Sequence, residues 1–524
     1  MAGIPLTVDR GPAAPPPIHQ LLLNGILSEN PVFRLALSLC PAVAVTTTVW
    51  NGVILGIAVL LVQVLSSSTV ALLHGRIHPR VRIPAYTIII AVWVSAIDMA
   101  LAAFTPALYA QVGLYVKLIV AFAIIISRLE MFASRHPLVP SFFDGLGMGL
   151  GFLFALMAIA AFREFLGAGA ILGFRVLPQK PLLFFALPAG GFFTIALFMA
   201  LFNAMERRKG GGAKRPAAGG HAMAIALLAG TALLAGHGEA RAAAQAIEGV
   251  RILAPDHVRV VLAEPLADAS PANFRWTAAS APDLPVAVRE VKAEGGGRYL
   301  LALDGRVDPG GRYRLEVADP PLGRDVRPSA WSLLFGIVLS SALINNFVFT
   351  RYLGLCVFFG VSRKRETAVG MGFTFAAVML LSAALSWALF TFVLKPLTLG
   401  FLQVLVFIGV VAFLVQMLDT ILKKTHPELH KKFGIYLVLI TTNCIILAVP
   451  LLNAEANSGP AESLALALGS GTGFALALFL MSCAREKVEL ARVPESFKGL
   501  PIAFLLAGLF ALAFMGFSGL DFMR

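Results

Sequence analysis

The chain has 524 residues, 58% of them hydrophobic and only 14% charged, where soluble domains average about 25% charged. That composition, with a mean hydropathy of +0.83, excludes a soluble globular enzyme and indicates a polytopic membrane protein. The net charge of +13 fits Lys and Arg gathered on cytoplasmic loops. With no basic stripe interleaved with aromatics, it gives no argument for nucleic acid.

Apolar runs long enough to span a bilayer can be placed in chain order. The first half gives roughly 18–48, broken near Ser28-Glu29-Asn30-Pro31, then 52–73, 84–106, 112–127, 144–165 and 181–203. A basic, glycine-rich linker follows, and then the apolar stretch "AMAIALLAGTALLAG" at 222–236. The stretch has the length of a connecting helix. It is also shaped like a signal peptide, with a basic lead and "ARAAAQA" behind it, so cleavage into two chains is an open alternative. Residues 246–328 are polar, with period-two alternation in "VRVVLAEPL", "RYLLALDG" and "RYRLEVAD". That pattern, punctuated by Gly and Pro, predicts a small antiparallel β domain resembling Ig-like sandwich modules. The second half gives runs near 331–361, broken at Asn345-Asn346, then 368–393, 400–422, 433–452, 462–484 and 499–520. The domain reading is therefore a membrane unit over 1–209, a linker with an extra helix over 210–245, the β domain over 246–328, and a second membrane unit over 329–524.

The two membrane units repeat one another. "NPVFRLALSLC" (30–40) aligns with "NFVFTRYLGLC" (346–356). "VGLYVKLIVAFAIII" (112–126) aligns with "FGIYLVLITTNCIIL" (433–447). "GMGLGFLFALMAIAAFRE" (147–164) aligns with "GSGTGFALALFLMSCARE" (469–486), and Asp98 falls opposite Asp419. In the first half Arg76, Arg80, Arg82, Arg128, Arg135 and "ERRK" at 206–209 mark the cytoplasmic loops. In the second half "SRKRE", "KKTHPELHKK" and 484–498 do so, which puts its start and Arg524 outside. The expected architecture is all-α and polytopic. Two inverted six-helix repeats are joined by one extra transmembrane helix and an extracytoplasmic β-sandwich-like domain.

Four cysteines, Cys40, Cys356, Cys444 and Cys483, are too few for a disulfide scaffold and form no CxxC zinc pattern. There is no P-loop, GxSxG or dinucleotide fingerprint. Taken singly, a membrane cysteine is more often a small hydrophobe than a ligand. The alignment of Cys40 with Cys356 and the polar Thr441-Thr442-Asn443 before Cys444 change that weighting, because polar groups in lipid need a protein or functional partner. Thiolates suit soft metals and iron–sulfur clusters. The position opposite Cys444 is Ala123, and that opposite Cys483 is Ala161. Intramembrane Asp98 and Asp419 are candidates for an ion path, or for pairing near helix ends. The GxGxGF glycines read as close helix packing, and Arg163-Glu164 and Arg485-Glu486 as helix-end ion pairs.

On these residues the chain resembles a known family. The first half is similar to RnfE/NqrD membrane subunits through "ENPVF", "LCPAVAVTTT", "RIPAYTIIIA", "FFDGLGMGLGF" and "REFLGAG". The second resembles RnfA/NqrE subunits through "NNFVF", "YLGLC", "ETAVGMG", "GIYLVLITTNC", "LGSGTGFALAL" and "REK". The resemblance implies a fusion of two subunits of the Rnf complex or of its relative, the sodium-pumping NADH:quinone reductase. It implies an intramembrane [2Fe–2S] cluster held by two cysteines from each of the two, here Cys40, Cys356 and Cys444. The fourth position departs from the family pattern, with Phe122-Ala123 where that pattern has Asn-Cys. Four possibilities stay open: a three-cysteine cluster, a ligand from elsewhere in the complex, a different electron route, or degeneration of this half.

Further implications are flavin- and iron–sulfur-bearing partner subunits, Na⁺ or H⁺ as the translocated ion, and a bacterial inner-membrane location with the N-terminus cytoplasmic. Flavin, NADH and ferredoxin chemistry belongs to the partners, so the chain is expected to relay electrons rather than act on a substrate. The competing readings are an inverted-repeat secondary transporter using Asp98 and Asp419, and a structural anchor without a cluster.

Overall fold

In the computed structural model the described residues are 17–73, 77, 82–171, 174–175, 183–185 and 187–209, the strands and adjoining turns within 247–326, and 330–397, 399–425 and 443–519. The expected linker and connecting helix over 210–245 lie outside them. So do Thr441 and Thr442. By internal contacts the chain forms two units, one of Met1–Asn203 with Val338–Arg524, the other of Ala204–Ile337.

The first unit is helical. Its first half contains α1 (Ile18–Leu23, continued as a wider π turn over Asn24–Ser28), α2 (Leu39–Ala44), α3 (Val49–Leu72), α4 (Arg82–Phe104), α5 (Pro106–Lys117), α6 (Ala123–Arg128), α7 (Leu138–Ala168) and α8 (Pro188–Lys209). The second half follows the same plan with α9 (Ala330–Leu339, π turn Ser340–Ile344), α10 (Leu355–Val361), α11 (Arg365–Leu389), α12 (Gln403–Thr425), α13 (Cys444–Glu455), α14 (Pro460–Glu489) and α15 (Leu500–Gly519). Among the described residues, seven helices are long and apolar enough to cross a membrane.

Both expected breaks are present, and each is held by an asparagine. Asn30 Oδ1 accepts the backbone N–H groups of Val32 and Phe33, each at 3.1 Å, while Nδ2 donates to the carbonyls of Ile26 and Gly151. Asn346 does the same with Val348, Phe349, Ala342 and Gly473. Irregular backbone inside a membrane needs partners supplied by protein, and one amide side chain provides four hydrogen bonds at each break.

A third break was not legible. The run read as one span over 112–127 ends its first helix at Lys117, passes through a 3-10 turn at Leu118–Ala121, and restarts at Ala123 after an extended Phe122. No proline or glycine signals it. Its counterpart is Asn443, also extended, directly before α13.

The GxGxGF glycines serve close packing, as their small size suggests. A Cβ on Gly151 would stand 2.1 Å from the Gly25 carbonyl oxygen, and one on Gly473 would stand 2.8 Å from that of Ala342. Each long helix thereby seats the broken helix of its own half.

The second unit is a β-sandwich of two four-stranded antiparallel sheets. One sheet orders β3 (Ile247–Ala254), β4 (His257–Leu262), β8 (Arg298–Leu303) and β7 (Val288–Gly295). The other orders β10 (Leu322–Val326), β9 (Tyr313–Val317), β5 (Phe274–Ala278) and β6 (Ala281–Val286). The strands β1 and β2 form a two-residue hairpin at Ala170–Ile171 and Phe174–Arg175 in the helical unit. Inward residues Val258, Val260, Trp276, Leu301, Tyr313, Leu315 and Val317 make the sandwich core. The alternation that predicted the domain is visible in β9, where Tyr313, Leu315 and Val317 are buried and Arg314 is exposed.

A cysteine-lined candidate site between the two halves

The short helices α2 and α10 begin at equivalent points and carry the two repeated cysteines at their second residues. Each follows a left-handed residue, Ser38 at φ 54° and Gly354 at φ 73°. At Gly354 the torsion favours glycine, and a Cβ would also displace the tip of Ile445, whose Cδ1 it would meet at 2.6 Å. Ser38 adopts the same turn at a steric cost, and its hydroxyl accepts the Ile124 N–H at the start of α6.

These turns, together with the breaks before α6 and α13, bring four helix starts to one place. Cys40, Cys356 and Cys444 line one cavity together with Ser38, Ala123 and Asn443. Cys40 Sγ lies 3.2 Å from Cys444 Sγ. Cys356 is within hydrogen-bond reach of Cys40. Backbone N–H groups point at the sulfurs: Gly354 donates to Cys444 at 3.0 Å and Leu355 to Cys40 at 3.4 Å. The backbone N–H groups of Ser38 and Leu39, the first-half equivalents, face Cys356. Ala123 occupies the place that mirrors Cys444 and brings no donor atom. Cys483 does not line this cavity. Among the described residues no group of three or more His, Cys, Asp or Glu side chains is arranged to chelate a single metal ion.

The arginines at the ends of the long helices, expected to pair with the adjacent glutamates, serve the cysteine helices instead. Arg163 Nη1 donates to the Val43 carbonyl at 2.6 Å and to Thr46 Oγ1 at 2.9 Å, closing the C-terminal end of α2. Arg485 Nη1 does the same for α10 through the Phe359 carbonyl and Ser362 Oγ. Glu164 accepts the Val49 N–H and Glu486 the Arg365 N–H, so each glutamate caps the next helix. The physical reason is that α2 and α10 are short helices whose free C-terminal carbonyls need buried donors. The recurrence of Arg-Glu at one spacing in both halves was the available signal.

Sequence reasoning also passed over a buried ionic cluster in the first half. Asp144, 2% exposed, pairs with Arg128, whose Nε lies 3.1 Å from Asp144 Oδ2, and Arg128 also reaches Glu29 at 2.8 Å. Of the two Asp residues expected on an ion path, Asp98 accepts a hydrogen bond from the Tyr109 hydroxyl at 2.8 Å. Asp419 lies on α12, and its side chain is outside the described residues. The structure does not bring Asp98 to the cysteine cavity.

The repeated broken helices and the thiol cavity define a polytopic membrane protein with an internal repeat and a cavity lined by three cysteines. The family described as Rnf-Nqr subunit, membrane protein, matches residues 18–199 and again 334–521, and the chain belongs to that family. It carries the family twice, with an RnfE/NqrD-like first half and an RnfA/NqrE-like second half.

Among curated relatives, the RnfA-type subunit of the proton-translocating ferredoxin:NAD(+) oxidoreductase complex of Clostridium ljungdahlii is 50% identical over 184 residues, covering 35% of this chain and 95% of the relative. The RnfE-type subunit of that complex is 47% identical over 186 residues, covering 35% of this chain and 87% of the relative. The RnfA-type subunit of the Na(+)-translocating ferredoxin:NAD(+) oxidoreductase complex of Acetobacterium woodii is 45% identical over 189 residues, covering 36% and 98%. Each relative accounts for little more than a third of the chain, as a fusion of two subunits requires.

Proposed function

We propose that this chain is a membrane subunit of an Rnf-type, ferredoxin- and NADH-linked, ion-translocating electron transport complex. It relays electrons across the membrane through an iron–sulfur group at Cys40, Cys356 and Cys444. The observation that carries this reading is the convergence of these three cysteines, drawn from both halves, on one cavity.

The residues present fit such a group in two respects. The donor set is thiol, which suits iron–sulfur ligation, and backbone N–H groups from both halves are aimed at the sulfurs, which stabilises thiolate charge. A [2Fe–2S] cluster would supply one-electron transfer at this position. Ala123 leaves three protein thiols for it. The chain's own contribution is positional. Arg163 and Arg485 fix the ends of α2 and α10, Asn30 and Asn346 fix the breaks that precede them, and Pro41, Ala121, Phe122 and Val357 give the cavity an apolar lining.

The two halves have inverted topology in this reading, with the N-terminus cytoplasmic and the β-sandwich and Arg524 extracytoplasmic, in a bacterial inner membrane. Flavin- and iron–sulfur-bearing subunits of the complex are the partners, and the sandwich docks on one of them or serves as a linker. Na⁺ or H⁺ is the translocated ion, and Asp98 and Asp419 are candidates for its path. Ala123 is the specific observation behind a second reading, a structural anchor without a cluster.

The deciding experiment measures iron and acid-labile sulfide in the purified complex, with electron paramagnetic resonance after dithionite, for wild type and Cys444→Ala. A reduced-cluster signal that disappears in the variant supports the relay. An intact complex without iron refutes it in favour of the anchor.

A further inference from the structure

We infer that Asn443 sets the reduction potential of the group held by Cys40, Cys356 and Cys444; the inference rests on the relay reading above. Its side chain has a forced orientation. Asn443 precedes α13 in an extended conformation and its Oδ1 accepts the Ile445 N–H at 2.9 Å. A backbone N–H can only donate, so the amide oxygen is committed to the helix end and the amide nitrogen takes the other direction.

Asn443 is 3% exposed, and its Nδ2 has no hydrogen-bond partner among the described residues. A buried donor left unpaired is unfavourable, and native proteins keep few of them without a use. The residue lines the same cavity as the three cysteines. The acceptors proper to that place are sulfur atoms, either thiolate or inorganic sulfide. A hydrogen bond to such a sulfur stabilises the extra negative charge of the reduced state and raises the potential.

The donor comes from one side only. The residue equivalent to Asn443 is Phe122, which has no side-chain donor, and it lines the cavity next to Ala123. The first half therefore presents Phe-Ala where the second presents Asn-Cys. The backbone donors at Gly354, Leu355, Ser38 and Leu39 already reach sulfur and are common to both halves. The halves also differ at the cavity in Ser38 against Gly354 and Pro41 against Val357, but neither of those differences adds an amide donor.

The test uses the whole purified complex with wild type, Asn443→Asp, Asn443→Ser and Phe122→Asn. Asp and Ser both keep an oxygen that caps α13 but lack the amide N–H₂. Iron and sulfide per chain are measured first, then the midpoint potential by redox titration followed by electron paramagnetic resonance. The expected result is near-wild-type iron in the Asn443 variants with a reduction equilibrium shifted at least tenfold toward the oxidised form, about 59 mV for one electron. Phe122→Asn moves it the other way. A loaded Asn443→Ser complex that titrates like wild type overturns the inference while leaving the relay intact. Loss of iron from both Asn443 variants, with wild type loaded, overturns it by reducing Asn443 to a helix cap. No iron in wild type refutes the relay reading itself, and the inference with it.

Discussion

Cys40 Sγ and Cys444 Sγ stand 3.2 Å apart although 404 positions separate them in the chain. One comes from each half, so the contact is a direct reading of how the repeats face each other. In complex stripped of iron, a lipophilic disulfide such as dithiodipyridine should join them. One thiol attacks the reagent and releases a thiopyridone; the second attacks the protein-bound sulfur of the resulting mixed disulfide, forming the Cys40–Cys444 bond and releasing the second thiopyridone. Peptide mapping under non-reducing conditions should recover Cys40 linked to Cys444. Recovery of unlinked Cys40 and Cys444 after treatment with one equivalent of reagent per chain would contradict this arrangement of the halves.

Ala123 lies on the wall of that cavity at the mirror position of Cys444. Ala123→Cys should raise iron per chain and slow its loss to a chelator. Unchanged iron and unchanged loss kinetics would show that the fourth corner is served from outside this chain.

How the cysteines come together was only partly legible. The repeat alignment paired Cys40 with Cys356 and Cys444 with Ala123, because residue identities and their spacing are written in the sequence. The convergence itself depends on the break at Phe122, and no residue type announces that break. There the chain leaves the helix because the Ile124 N–H is taken by Ser38 Oγ from another segment, and a tertiary partner of this kind leaves no local trace. The breaks at Asn30 and Asn346 were visible because asparagine supplies its own local hydrogen bonds. The Arg163 and Arg485 roles were misread for a related reason: a neighbouring Glu is the nearest partner in sequence, while the buried carbonyls of Val43 and Phe359 are nearer in space.

Asn30→Ala should destabilise the helical unit markedly. It orphans the N–H groups of Val32 and Phe33 in a buried turn, at roughly 1–3 kcal/mol each. Thermal unfolding of the detergent-solubilised complex should show a lower midpoint, and Asn346→Ala should match it because its hydrogen bonds are the same. A large difference between the two would argue against equivalent roles.

Gly151→Ala and Gly145→Ala separate close packing from mere helix propensity. Both sit on α7, but the first places a Cβ 2.1 Å from backbone at Gly25, whereas the second meets Ser67 Oγ at 3.2 Å. Membrane-inserted yield should collapse for Gly151→Ala and stay close to wild type for Gly145→Ala. Equal yields would refute the packing role.

Asp144→Ala leaves Arg128 with the more exposed Glu29 carboxylate and the face of Phe132. Breaking a buried pair from one side costs about 3–5 kcal/mol, so folded yield should drop sharply. A double variant, Asp144→Ala with Arg128→Met, should recover part of it. Failure of any recovery would show that the cluster does more than balance charge.

A site whose sulfurs come from two homologous halves has an assembly problem when those halves are separate polypeptides, since each must find the other in the bilayer in equal number. Here both are encoded in one reading frame. Synthesis fixes their ratio at one to one, and the encounter becomes intramolecular, with an effective concentration set by the connecting segment rather than by expression level. A cell making this chain cannot produce one half of the centre in excess of the other.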